Sequence, residues 1–260
     1  MFKTDIDALA SSAQSRLHLL KTNLPGYLVS SMLAGIFVGI GVIGFNVIGG
    51  LFQGNPALKL LQGTVFTVAL SLVIVAGGEL FTGNNLIMTI GFLEKKYQWT
   101  DLLLGWLLCF VGNWVGSVLL ALLFDATGLL SGQTLIFAQK AAELKASLPF
   151  MALLTRGIFC NLLVCVAIWS CTRLKSESAK LIIIFWCVLA FVLAGFDHAV
   201  ANMSSLTMAI LHPGPESIHF GNYLYVLFSS ALGNMIGGIG FVALPYWLIS
   251  REKESKIKPV

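Results

Sequence analysis

Apolar residues run through this chain in long charge-free blocks at 22–58, 60–78, 102–124, 157–172, 181–196 and 217–250. A helix needs roughly 20 apolar residues to cross a hydrocarbon core of about 30 Å, so the blocks predict six spanning helices. The first 25 residues follow a different pattern: Ile6, Leu9, Ala13, Leu17 and Leu20 recur at helical spacing among polar neighbours. That period predicts an amphipathic helix lying on a membrane or against a bundle, and not the apolar core of a signal peptide. The chain therefore divides into an N-terminal helix at 1–25, one membrane domain at 26–250 and a polar tail at 251–260.

Composition agrees with this division. Apolar residues make up 57% of the 260 positions and charged ones 11%, and mean hydropathy is +0.87. Soluble domains are about a quarter charged, so a separate soluble catalytic domain is excluded. The charges also orient the chain. Lys and Arg number twelve in the N-terminal segment, the 92–101 loop, the 173–180 loop and the tail, against Lys59, Lys140 and Lys145 on the other side. The positive-inside rule then puts both termini in the cytoplasm, and the net charge of +4 reflects topology and not a nucleic-acid surface. Five cysteines, an odd number, all lie in or beside apolar spans and show no metal-site spacing with histidine, so they read as small buried residues. No metal or other cofactor is expected.

Two segments have the wrong length. Residues 60–93 and 181–211 are too long for one upright span and too short for two. Polar and glycine residues cluster where a break is needed: Gly77-Gly-Glu-Leu-Phe-Thr-Gly-Asn-Asn85 in the first, Gly195-Phe-Asp-His-Ala-Val-Ala-Asn202 in the second. Irregular backbone at membrane depth is tolerated only inside protein or along a water-filled cavity. The two breaks also match: Glu79 precedes Asn84 by five residues, and Asp197 precedes Asn202 by five. Downstream lie Gly112-Asn-Trp-Val-Gly116 and Gly233-Asn-Met-Ile-Gly237; upstream lie Ala34-Gly-Ile-Phe37 and Arg156-Gly-Ile-Phe159. We read 26–124 and 150–250 as repeats of three spans each, which an odd span count inverts. The expected fold is an all-α membrane protein of six transmembrane helices, with inverted 3+3 repeats and two broken helices, the architecture of a channel or transporter. In such architectures the site lies at the breaks. Glu79, Asn84, Asp197 and Asn202 are read as structural residues of the breaks, their carboxylates accepting orphan backbone donors or pairing with a buried cation such as Arg156.

Leu80-Phe-Thr-Gly-Asn84, Gly157-Ile-Phe-Cys-Asn161 with Val164-Cys165 and Ala167-Ile-Trp169, and Gly195-Phe-Asp-His-Ala-Val-Ala-Asn-Met203 resemble the formate/nitrite transporter family over about residues 20–250. The resemblance implies an aquaporin-like six-helix protomer, assembled as a homopentamer with one pore per protomer, in a bacterial cytoplasmic membrane. It implies that Leu80, Phe81 and Val164 line a cytoplasmic constriction and Phe66 and Phe191 a periplasmic one, with Thr82, Asn161 and His198 as the polar groups between them. Lys145 matches a lysine near the outer vestibule. Asp197 stands where the family more often has glutamate, which leaves the role of that acid open.

This set suits a small monovalent weak-acid anion. A bare ion in an apolar slit costs tens of kcal/mol by an idealised Born estimate. Lys145 would concentrate the anion at the mouth. His198, of a residue type that titrates near pH about 6.5, would supply the proton that lets it cross as a neutral acid. Thr82 and Asn161 would hydrogen-bond it, and the apolar rings would exclude water. Passage of the charged anion past a protonated His198 stays open as an alternative. Nitrite is the favoured substrate, from Asn23-Leu-Pro-Gly-Tyr27 and Val29-Ser-Ser-Met-Leu-Ala-Gly35; formate, hydrosulfide and lactate follow. A neutral-solute channel of aquaporin type would show paired Asn-Pro-Ala signatures, and neither Asn84 nor Asn202 precedes proline. An intramembrane enzyme would need a nucleophile beside a base, which Asp197-His198 lacks. His18, His212 and His219 are assigned no role.

Overall fold

The computed structural model describes residues 1–214 and 218–251, so the polar tail, apart from Arg251, lies outside the described residues. Among the described residues all regular structure is helical. Helix α1 (Lys3–Thr22) is followed by α2 (Leu24–Leu51), α3 (Leu58–Leu72), α4 (Phe81–Leu93), α5 (Trp99–Ala126), α6 (Gly132–Ala146), α7 (Phe150–Arg173), α8 (Glu177–Ala194), α9 (Ala199–Leu211), α10 (Phe220–Gly238) and α11 (Leu244–Ser250). A π-helical turn at Val73–Gly77 extends α3, and another at Ile239–Ala243 joins α10 to α11. Six helices are long and apolar enough to cross a membrane: Leu24–Leu51, Leu58–Gly77, Trp99–Ala126, Phe150–Arg173, Glu177–Ala194 and Phe220–Ser250.

Both wrong-length segments are broken. Gly77 (φ +89°) ends the first long helix and Gly195 (φ +76°) ends the second, in the left-handed region that only glycine enters without a steric cost. Each break is followed by a half-helix of 13 residues, α4 or α9. Apart from Ala201 and their last two residues, both half-helices are buried along their length.

The two halves make the same contacts in the same order. The Glu79 N–H donates to the Ser30 carbonyl (3.2 Å), and the Asp197 N–H donates to the Arg156 carbonyl (3.3 Å). Asn113 Nδ2 donates to the carbonyls of Ser31 (2.7 Å) and Glu79 (2.8 Å); Asn234 Nδ2 donates to those of Gly157 (2.8 Å) and Asp197 (2.9 Å). These bonds correct one sequence landmark. Ser31, and not Gly35, is the counterpart of Gly157, so the Ala34-Gly-Ile-Phe and Arg156-Gly-Ile-Phe matches are out of register by one helical turn. The glycine landmarks on α5 and α10 do correspond. A β-carbon at Gly116 would strike the Met32 carbonyl, and one at Gly237 would strike the Ile158 carbonyl, so each glycine permits close helix approach.

Helix α1 lies against the bundle. Ile6, Leu9, Ala13, Leu17 and Leu20 are all buried, and Lys3–Glu94, Asp5–Arg173, Arg16–Glu79 and Lys21–Asp101 ion pairs tie it to the other elements. Phe2, just before it, packs edge-on against Trp169 and Tyr246. Helix α6, which the sequence pattern did not separate from the loop between repeats, occupies the equivalent place in the second half: it packs on α2 and α9 and carries Lys145 in its last turn.

Candidate functional site

The half-helices meet N-terminus to N-terminus. Their first amides are orphan donors, and each finds a side-chain oxygen from the following span. The Phe81 N–H donates to Asn113 Oδ1 (2.9 Å), and the Ala199 N–H donates to Asn234 Oδ1 (2.8 Å). The sequence suggested the carboxylates for this task. The structure gives it to Asn113 and Asn234, which the pattern marked only as landmarks between glycines.

The carboxylates instead bind cations from the peripheral helices. Glu79 Oε2 lies 2.9 Å from Arg16 Nε and accepts from Asn84 Nδ2 (3.0 Å), while Arg16 Nε also donates to Asn84 Oδ1 (3.1 Å). Asp197 Oδ1 lies 2.8 Å from Lys145 Nζ and 3.5 Å from Asn202 Nδ2, while Lys145 donates to Asn202 Oδ1 (2.6 Å). Two equivalent triads, Arg16–Glu79–Asn84 and Lys145–Asp197–Asn202, thus fasten the two half-helices. Arg156 contributes its backbone carbonyl, so the expected pairing of a break carboxylate with Arg156 is corrected to Arg16 and Lys145. Lys145 is correspondingly not an open vestibule charge: its charge is matched by a carboxylate that is almost fully buried. Sequence reasoning missed Arg16 altogether. Its signal was a cation on the outer helix, at a place whose counterpart in the second repeat is Lys145.

Across the junction, Thr82 Oγ1 and His198 Nε2 are 3.0 Å apart. His198 caps α9 by accepting the Ala201 N–H at Nδ1 (3.1 Å). With Nδ1 an acceptor, the neutral ring carries its proton on Nε2 and donates it to Thr82. Apolar groups enclose the pair. The Phe191 ring stacks on His198 (centroids 6.2 Å, 17° between planes), and Phe66 meets Phe191 edge to face at 5.9 Å. Leu80, Phe81 and Val164 are buried near the start of α4 and in α7, and Phe81 packs edge-on against Phe110 at 4.9 Å. Asn161 spends its amide donors inside the protein. Its amide donates to the carbonyls of Thr82 (3.2 Å) and Asn234 (2.7 Å) and to Asn85 Oδ1 (3.0 Å), so it is a tie between the halves. Its Oδ1 meets only the Cys165 thiol at 3.5 Å, so the donors and not the oxygen are committed to that tie.

On the α1 face a cavity of about 560 Å³ reaches from Arg16 and Lys180 to Glu79, Leu80 and Asn84. Outside the spans, Glu94 at the end of α4 is held below the usual carboxylate range, chiefly by its bond from Lys3 and further by one from Trp247.

Two inverted triads, paired half-helices and a hydroxyl–imidazole contact among aromatic rings define a membrane-spanning channel or transporter protomer. Comparison with known proteins makes this specific. The profile of the family described as "Formate/nitrite transporter" matches residues 3–248, and the chain belongs to that family. It is 36% identical to the nitrite transporter NirC of Salmonella typhimurium, over 98% of this chain and 94% of that one. It is 37% identical to NirC of Escherichia coli K12 over 95% and 92%, and 33% identical to the formate channel BtFdhC of Bacillus thuringiensis over 90% and 91%. Among solved structures, an "FNT family ion channel" superposes with a TM-score of 0.92 at 32% identity, covering 96% of this chain and all of that one. A "Pentameric formate channel with formate bound" superposes at 0.77 and 29% identity, covering 86% and 96%. The chain is thus a multi-pass membrane protein of a transporter family and not an enzyme.

Proposed function

We propose that this protein is a homopentameric channel or transporter for a small monovalent weak-acid anion, with nitrite its favoured substrate, in a bacterial cytoplasmic membrane with both termini inside. The observation that carries the reading is the Thr82–His198 contact of 3.0 Å, a proton-bearing pair in an otherwise apolar passage. Nitrite is favoured over formate because the two NirC proteins match at 36–37% identity over nearly the whole chain.

The mechanism follows from charge. An anion reaching Thr82 meets the N-terminal ends of two half-helices, whose dipoles attract it. His198 takes up one proton from the aqueous side the anion came from, becoming imidazolium beside the anion's charge. That form requires the ring to release the Ala201 N–H from Nδ1, since a protonated Nδ1 has no lone pair. The imidazolium gives one proton to the anion by way of the Thr82 hydroxyl. The neutral acid then passes the rings of Phe66 and Phe191 on one side, or Leu80, Phe81 and Val164 on the other, without the cost of a bare ion. Direct donation from the neutral ring would leave an imidazolate and does not occur. The test is flux into vesicles holding the purified protein under matched nitrite and formate gradients. Nitrite flux equal to or above formate flux is expected; formate flux far above nitrite would overturn the substrate assignment.

A further inference from the structure

Among the described residues, three cations stand beside the breaks or the cavity that leads to one of them, and two of the three are neutralised by buried carboxylates: Arg16 by Glu79 and Lys145 by Asp197. The third, Lys180, is different. It lies in the first turn of α8 and lines the cavity of about 560 Å³ on the α1 face. Its ion-pair partner is Glu177, one turn earlier at 3.1 Å, whose side chain is 83% exposed and does not line the cavity. A pair so open to water is worth little and is screened by salt. The charged side chains that line the cavity are Arg16, Glu79 and Lys180, leaving one net positive charge there. Thr172 and Ser30 add hydroxyls to the same wall, and the floor is the first break, at Gly77 to Leu80.

We propose that this cavity is a binding vestibule for a monovalent anion and that Lys180 is its capture residue. The inference rests on the anion-channel reading above, and it assigns the capture step on the cytoplasmic side to a residue outside both triads. The expected partner has a single negative charge and small size, because the cavity wall carries one net positive charge and Glu177, which pairs with Lys180, stands outside it in water. A fixed unit charge a few ångströms from an anion raises its local occupancy by about threefold to tenfold at low ionic strength.

The experiment uses the full-length protein in inside-out and right-side-out membrane vesicles, with nitrite and formate as probes and channel content measured in each preparation. In inside-out vesicles at low ionic strength, Lys180→Gln should raise the half-saturating anion concentration about threefold to tenfold. Lys180→Glu should raise it further, Lys180→Arg should restore it, and added salt should shrink the difference. Right-side-out values should not change. If wild type carries the anions and Lys180→Gln matches it from both sides, Lys180 is not the capture residue while the channel reading stands. If wild type carries neither anion, both the channel reading and this inference fall.

Discussion

At the scale of single residues, Asn113 and Asn234 do the most to build the junction, because each oxygen satisfies a half-helix amide and each amide ties down two carbonyls. Asn113→Ala should strand several buried backbone groups and destabilise the protein by about 3 kcal/mol, read as a lower unfolding temperature in detergent. An unchanged temperature would show that water replaces the amide. Thr82→Val removes the acceptor of the His198 Nε2–H and should cut flux by at least about tenfold while leaving the fold intact. Most of the residues named here were legible in the chain, since Glu79–Asn84 and Asp197–Asn202 share a spacing that few other pairs show. The partner of each carboxylate was not. Arg156 is a cation within a span, but ion pairing is decided by which helix crosses which, and that is a property of packing.

At the scale of elements, the peripheral helices are part of the machinery. Removing Arg16 leaves a buried, uncompensated Glu79 carboxylate, so Arg16→Ala should cost about 3–5 kcal/mol and loosen α1, seen as faster hydrogen exchange over residues 3–22. The double variant Arg16→Met with Glu79→Gln should recover most of that loss. Helix α1 also has a defined acid limit. Because the folded-state value of Glu94 lies below 4.5, the stabilisation it lends is complete above that pH and is lost as pH falls through the lowered value. Lys3 is raised above 10.5, chiefly by its bond to Glu94, so its contribution is present below that pH and lost only as pH rises further. Protease resistance of α1 should therefore be flat from about pH 5 to 9 and fall only in stronger acid. The helix itself was visible as a period of apolar residues. Helix α6 was not, because its sequence carries Lys140, Glu143 and Lys145 among alanines with few large apolar residues. Its equivalence to α1 lies in where it docks, and the repeat register slipped for a similar reason: Gly-Ile-Phe recurs by composition while the hydrogen bonds fall one turn away.

At the scale of the whole molecule, the two inverted halves bring two similar breaks together so that their N-termini share one hydroxyl–imidazole contact. The pairing of spans and the breaks were readable because membrane depth restricts where polar residues stand; the assembly was not, because apolar helix faces serve lipid and neighbouring subunits alike. The mass of the purified complex should be five times that of the 28.0 kDa chain. The central claim is that the anion crosses as a neutral acid by a proton from His198. It is tested by nitrite flux measured together with internal pH in vesicles, for wild type and His198→Ala across pH 5 to 8 (about the range over which histidine changes charge). Wild-type flux should carry one proton per anion and rise as the outside becomes acid. In His198→Ala both the proton coupling and the pH dependence should be lost. Identical profiles for the two proteins, or nitrite flux with no accompanying proton, would contradict it.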